Sequence, residues 1–245
     1  MHVAIVSDIH GNRHAFEAVL DDARGAGADE VWCLGDLVGY GAEPDACVEL
    51  ARDRVAICLA GNHDLAVTGE LPIDDFSRGA AISAKWTQQT IGTENLAFLR
   101  ELRPSGVEGE LGLYHASPRD PVWEYVLSEL LADRCFDEAA QRVCLIGHSH
   151  VALAFTRDEG GGTHARGALR EPGHTADLRE GAWLLNPGSV GQPRDGDPRA
   201  AWLLLDRDRG HAEWRRTPYD VQGAADAIRA AGLPDSLAER LGYGQ

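Results

Sequence analysis

The chain contains no C-x-x-C pair, and its five cysteines, at positions 33, 47, 58, 135 and 144, are odd in number. That pattern argues against a disulfide framework and against a thiolate zinc site, and marks the thiols as reduced, mostly buried small residues. Long apolar runs are missing too. Stretches such as 200–205 fall far short of the ~20 residues that a membrane-spanning helix needs. The opening M-H-V-A-I-V-S-D has no basic segment followed by a long apolar one, so a cytoplasmic location without a membrane partner is expected. Positive charge is scarce: 39 acidic residues stand against 23 basic ones, a formal net charge of −16. Such a field repels a polyanionic backbone wherever it is not locally neutralised, and no basic stretch interleaved with aromatics offsets it. Long nucleic acids are therefore not expected partners. There is no internal repeat and no interdomain linker, and nothing in the sequence sets an oligomeric state.

What is present is a chain of 245 residues with 44% apolar content, enough to bury a substantial core in one domain spanning 1–245. Residues 2–7 read as an apolar strand, and 13–24 as a helix with Ala15, Phe16, Val19, Leu20 and Ala23 at helical spacing. A second strand is expected at 30–34, a helix at 42–52 opened by Pro44, and a third strand at 54–60. This β-α-β-α-β beginning predicts helices covering a mainly parallel sheet, with ligands beyond the carboxyl ends of its strands. The second half is richer in strands, at 111–115, 142–146, 152–157, 182–185 and a hairpin 200–205/211–217 around D-R-D-R-G. A second sheet stacked on the first follows. The polar, glycine-rich stretch between 158 and 180 reads as a mobile loop or an extended hairpin, and 219–241 as two short helices broken at Gly232-Leu233-Pro234.

The residues just past each strand carry the chemistry. After the first comes Asp8-Ile9-His10-Gly11-Asn12, after the second Gly35-Asp36, and after the third Gly61-Asn62-His63-Asp64. The next two deliver His115 and Gly147-His148-Ser149-His150. One such group is ordinarily a helix cap or a turn residue. A hard-metal ligand at five successive strand ends, each beside a glycine or small residue, is a constellation instead. Carboxylate, imidazole and amide oxygen without thiolate suit Mn²⁺, Fe, Zn²⁺ or Mg²⁺. The set is too large for one ion and about right for two ions roughly 3.5–4 Å apart that share a bridging carboxylate and a bridging water. His148 and His150, two apart on an extended backbone, can then each reach a different ion. Two divalent ions held by Asp8, Asp36 and a hydroxide leave about one net positive charge. An acidic protein can thus offer phosphate a local positive spot.

The motifs D-I-H-G-N, G-D-L-V-G-Y-G, G-N-H-D, Y-H-A-S and G-H-S-H, in this order and spacing, resemble those of the calcineurin-like metallophosphoesterases, particularly their small bacterial phosphodiesterase and dinucleoside-polyphosphate-hydrolase branch. The resemblance runs over 3–214. It implies an α/β fold, a four-layer α/β/β/α sandwich of two mixed β-sheets flanked by helices. It also implies that Asp8, His10, Asp36 and His150 hold one divalent ion, and that Asp36, Asn62, His115 and His148 hold the other, with Asp36 bridging. Manganese stands first for both, with Fe, Zn, Mg or Ni acceptable to the same ligands. In that scheme a metal-bridging hydroxide attacks phosphorus in line, His63 protonates the departing oxygen, and Asp64 orients or tunes His63.

Four further residues are candidates for substrate binding. Arg194, in N-P-G-S-V-G-Q-P-R, could clamp a phosphate oxygen. Arg119 could do the same, or pair with a nearby carboxylate. Tyr40 could stack on a base, and Asn12 could orient a neighbouring ligand. Relatives that act as protein serine/threonine phosphatases, or that cleave dinucleoside tetraphosphates symmetrically, carry an arginine shortly after the bridging aspartate. None stands in Gly35-Asp36-Leu37-Val38-Gly39-Tyr40-Gly41. The expected substrate is therefore a small phosphodiester or nucleotide-type phosphate ester. A phosphomonoesterase, including a protein phosphatase, and a catalytically silent metal-binding scaffold are the alternatives. An amidohydrolase barrel would place His-x-His after its first strand, not its fifth.

Overall fold

In the computed structural model, which describes residues 1–158 and 164–245, the first third alternates strand and helix. β1 (His2–Val6) leads to α1 (Arg13–Gly25), β2 (Glu30–Cys33), α2 (Pro44–Arg54) and β3 (Ile57–Cys58). Three helices follow, α3 (Asn62–Thr68), α4 (Arg78–Thr90) and α5 (Thr93–Glu101). Then come β4 (Ser105–Glu108), β5 (Leu111–Tyr114), α6 (Glu129–Glu138), β6 (Val143–Leu145), β7 (Ala152–Arg157), β8 (Arg166–Leu169) and β9 (Thr175–Asp177). The chain closes with β10 (Ala182–Pro187), β11 (Ala200–Asp206), β12 (His211–Thr217), α7 (Val221–Ala230) and α8 (Asp235–Glu239).

The strands form two six-stranded mixed sheets, ordered β3-β2-β1-β11-β12-β9 and β4-β5-β6-β10-β7-β8. Side-chain alternation builds the layers. On β1, Val3 and Ile5 face the second sheet, where they meet Leu145 and Leu185, with Leu203 and Trp214 of their own sheet alongside. Ala4 and Val6 face outward, against Phe16, Val19 and Leu20 of α1 and Val48 of α2. On β6, Val143 and Leu145 point inward, while Cys144 lies under Cys135 and Phe136 of α6. Helix, sheet, sheet and helix therefore stack as four layers, the α/β/β/α sandwich that the motifs imply.

Several boundaries differ from the sequence reading. The third strand shrinks to Ile57–Cys58 because α2 continues to Arg54 before the chain turns to pair with Trp32 and Cys33. The glycine-rich stretch divides. Its segment at 159–163 lies outside the described residues, Arg166–Leu169 closes an extended hairpin on β7, and Thr175–Asp177 crosses to pair with β12 in the other sheet. The expected break at Gly232-Leu233-Pro234 falls between α7 and α8. These last helices pack Ile228, Leu233, Leu237 and Leu241 against Tyr40, directly behind the loop after β2.

Candidate metal centre and its surroundings

The motif residues Asp8 to His10, Asp36, Asn62 to Asp64, His115, and His148 to His150 lie past the carboxyl ends of β1, β2 and β3 in one sheet and of β5 and β6 in the other. Ser7, Asp8, His10, Asp36, His63, His115, His148 and His150 are buried. Local backbone geometry explains the glycines and histidines of the motifs together. Asp8, His10, Asp36, Tyr40, His148 and His150 all have positive φ, between 50° and 63°. An L-residue in that region costs roughly 1–2 kcal/mol, and Asp and His tolerate it better than most. Six such residues on three loops turn the chain sharply enough to aim successive side chains at one point. Gly61 completes the approach, since a Cβ there would run into the Asp36 carboxylate.

Three groups of potential ligand atoms emerge, each with members within 4.8 Å of one another: Asp8, His10 and His150; Asp36, His115 and His148; and His10, Asp36 and His63. Asp36 Oδ2 lies 3.5 Å from His10 Nε2 and 3.6 Å from His115 Nε2, so one carboxylate oxygen is common to both sides. Asp8 Oδ1 lies 3.4 Å from His150 Nε2, and Asn62 Oδ1 lies 3.2 Å from His115 Nε2.

The hydrogen-bond pattern around these atoms fits cations. His10 Nδ1 faces the Val38 carbonyl at 3.0 Å, His150 Nδ1 the Gln192 carbonyl at 2.7 Å, and His115 Nδ1 the Leu34 carbonyl at 3.0 Å. A carbonyl accepts only, so each Nδ1 carries the proton and each Nε2 is left with a bare lone pair. The Nε2 atoms of His10 and His150 then face one another at 3.1 Å with no hydrogen between them. Asp8 Oδ1, Asp36 Oδ2 and His148 Nε2 are buried without any hydrogen-bond partner. Converging lone pairs are repulsive by themselves and become favourable around a positive ion.

Electrostatics agree. Burial raises the Asp8 carboxyl to about 7 and holds Asp36 well above the ordinary carboxylate range, with Asp64 and Asp8 adding repulsion at Asp36. Burial also holds His10, His148 and His150 well below the usual imidazole value and brings His115 to about 4. Neutral imidazoles are the form that binds metal.

His63 opens α3, with its ring against His10, Tyr40 and Phe76 at centroid separations of 4.8, 4.5 and 4.8 Å. Burial, then the charge of Arg194 and of His115, lowers it to about 3. Its Nδ1 has no partner and rests against Gly39, where any Cβ would collide with the ring. Asp64 acts on the neighbouring backbone. Its carboxylate accepts from the backbone N–H groups of Asp36, Val38 and Gly61 at 2.8, 3.2 and 2.8 Å. Asp64 therefore braces the loop that presents Asp36, while Asp36 Oδ1 accepts from the His63 backbone N–H at 2.9 Å.

The four other candidates separate. The Arg194 guanidinium lies 5.6 Å from the Tyr40 ring centre, donates to Gln192 Oε1 at 2.9 Å, and keeps a buried Nε without a partner. Its charge acts on Asp8, His10, His63 and His150. Arg119 instead pairs with Glu124 at 2.7 Å. Asn12 caps α1 by accepting from Ala15 N–H, and its Nδ2 donates to the Gly191 carbonyl at 2.9 Å and to the Tyr219 hydroxyl at 3.3 Å. Tyr40 is buried under His10, with Arg240 5.9 Å from its ring centre on the tail side. It supports the histidines and offers no open face for stacking.

Three residues that no motif pointed to stand beside the cluster. Tyr125 stacks on His148 at 4.0 Å between centroids, Trp123 lies 6.5 Å from His148, and Phe76 bridges Trp123 (5.4 Å) and His63 (4.8 Å). They come from irregular loops, where periodicity carries no signal. The loop 186–194 also does more than turn the chain. Ser189 Oγ donates to the Asp8 carbonyl at 2.8 Å, and Gly191 N–H donates to the same carbonyl at 3.0 Å.

A family model described as calcineurin-like phosphoesterase superfamily domain matches residues 1–210. The chain belongs to this superfamily of divalent-metal-dependent phosphoester hydrolases. It is 38% identical over 248 residues to an uncharacterised protein of Methanocaldococcus jannaschii, covering 99% of this chain and 98% of that one. A metallophosphoesterase of Sphaerobacter thermophilus superposes with a TM-score of 0.90 at 38% identity, over 100% of this chain and 99% of the other. A hypothetical protein of Pyrococcus horikoshii shares the fold, with a TM-score of 0.80 at 18% identity over 100% and 98% of the two chains.

Proposed function

We propose that this protein hydrolyses a small phosphodiester or nucleotide-type phosphate ester with the help of two divalent ions, Mn²⁺ foremost. The observation that carries the proposal is the single Asp36 oxygen facing histidines of both clusters, amid ligand atoms that lack any other partner. Asp8, His10, Asp36 and His150 would hold one ion, and Asp36, Asn62, His115 and His148 the other. Ions held there supply an acidified water and neutralise phosphoryl charge.

The remaining work belongs to side chains. Arg194 brings an unspent donor and a fixed positive charge to the edge of the cluster, the equipment for gripping a non-bridging phosphate oxygen. His63 is neutral in the substrate-free protein, at about 3. A bound phosphate ester adds negative charge beside the ring, which favours the imidazolium. His63 thus becomes a proton donor to the leaving oxygen when substrate is in place. Asp64 holds the Asp36 loop still while this happens.

The test is hydrolysis of bis(p-nitrophenyl) phosphate and p-nitrophenyl phosphate by metal-stripped protein resupplied with Mn²⁺. Turnover of the diester that appears only with metal supports the proposal. Turnover of the monoester alone replaces the diester preference with a phosphomonoesterase, and stoichiometric binding of a single ion removes the binuclear assignment.

A further inference from the structure

The flank of the metal cluster nearest His63 is walled by aromatic rings that the hydrolytic chemistry does not use. Phe76 touches His63, Trp123 touches Phe76, and Tyr125 stacks on His148. The arc therefore runs from the candidate proton donor round to a candidate metal ligand. Tyr125 is 44% exposed, and Phe76 and Trp123 are only partly covered. Aromatic surface left open beside a polar, phosphate-binding centre is lost hydrophobic burial unless a ligand covers it.

The wall is also held in place. Asp120 Oδ1 accepts from the backbone N–H groups of Val122 and Trp123, both at 3.0 Å. Glu124, between the two rings, is tied back by Arg119 at 2.7 Å and by Ser117 Oγ at 2.6 Å. On either side of the anchored Glu124, the Trp123 and Tyr125 rings lie 6.5 and 4.0 Å from the His148 ring. The charge of Arg194 reaches the Tyr125 hydroxyl, which places the wall beside the proposed phosphate clamp.

We propose that Phe76, Trp123 and Tyr125 form a base subsite that stacks a planar heteroaromatic group, a nucleobase, attached to the phosphate held at the metal centre. The inference rests on the phosphoesterase reading above and narrows its substrate to nucleotide-type esters. Aromatic rings recognise bases through their π-faces with little regard to hydrogen-bond pattern, so the subsite accepts several bases. The excess of acidic residues does not oppose a small nucleotide whose phosphate lies against the ions and Arg194.

The experiment compares adenosine 5′-monophosphate with ribose 5-phosphate, two ligands with the same phosphate and sugar, binding to the Mn²⁺-loaded protein by calorimetry. The wild type should bind the nucleotide about tenfold or more tightly than the sugar phosphate. Trp123→Leu and Phe76→Leu should each bring that ratio down toward one while leaving ribose 5-phosphate affinity unchanged, which also shows that the variants are folded. Trp123→Phe, which keeps a ring, should retain most of the preference. Equal affinity for both ligands in the wild type overturns the subsite and leaves the phosphoesterase reading standing, and so does a preference that both leucine variants preserve. Failure of ribose 5-phosphate to bind in a metal-dependent way overturns that reading, and the subsite with it.

Discussion

The two ends of the sandwich solve opposite problems. At the carboxyl ends of the central strands, six non-glycine residues adopt left-handed backbone, and buried lone pairs of Asp8, Asp36 and His148 lack partners. At the other end the β11–β12 turn is an ordinary tight connection. There Arg207 lies 3.4 Å from Glu108 and over the ring of Trp32 at 5.0 Å. A cavity of about 630 Å³ opens beside it, lined among others by Glu110, Gln141 and Leu205. Among the described residues, every positive-φ residue other than glycine is at the metal end. Left-handed backbone and partnerless ligand atoms therefore gather at the candidate metal centre, while the cavity lies at the opposite end.

The sharpest way to break this comparison is Asp36→Asn. The shared oxygen becomes an uncharged amide, so both ions should be lost and hydrolysis should fall to background, with the fold retained. Elemental analysis that still finds two tightly held ions would remove Asp36 from its bridging position. Next in size, His63→Ala should keep both ions and cost roughly 10²–10⁴-fold in kcat for poor leaving groups, and less for p-nitrophenolate. A uniform loss across leaving groups would deny it the proton-donor role.

Metal uptake gives a smaller, graded effect. The Asp8 carboxyl is raised to about 7, so below that pH an incoming cation must expel its proton. Affinity should climb as pH rises through 7, with the raised Asp36 carboxyl adding a second proton to be expelled. The already neutral imidazoles should release almost nothing. Calorimetry in buffers of differing ionisation enthalpy counts the protons, and a pH-independent affinity between 5 and 8 would contradict the buried, protonated carboxyl. The smallest effect belongs to the far end. Arg207→Ala removes a partly exposed ion pair and a ring contact, and should cost about 1 kcal/mol of stability or less. Hydrolysis should not change; an appreciable loss would mean that the two ends are coupled.

Much of the working end was legible in the chain because its residues follow strand ends in dense, punctuated motifs. Asp8, His10, Asp36, Asn62, His115, His148 and His150 converge as their spacing suggested. The central strands and the place of the edge strand β3 were legible by apolar runs, but the edge strands β4 and β8 were not individually placed. Arg166–Leu169 is exposed along its whole length and has no alternation to display. Asp64 shows a different limit: the resemblance implied that it orients or tunes His63, and what the motif alone did not display is that the first turn of α3 directs its carboxylate to backbone N–H groups. The aromatic wall lay in loops, where only three-dimensional proximity gives Phe76 and Trp123 a common purpose.

The position of β1 carries a consequence for how the chain comes into being. β1 is paired on one side with β2, its near neighbour in sequence, and on the other with β11, where Val3 is matched to Leu205 and Ile5 to Leu203. During synthesis β1 must wait until β11 has emerged before its second edge is covered. Until then it presents an apolar, unpaired edge to every other nascent chain. The non-local pairing implies slow folding for a chain of this size, and a window in which a chaperone, rather than the strand's own partner, is the natural occupant of that edge.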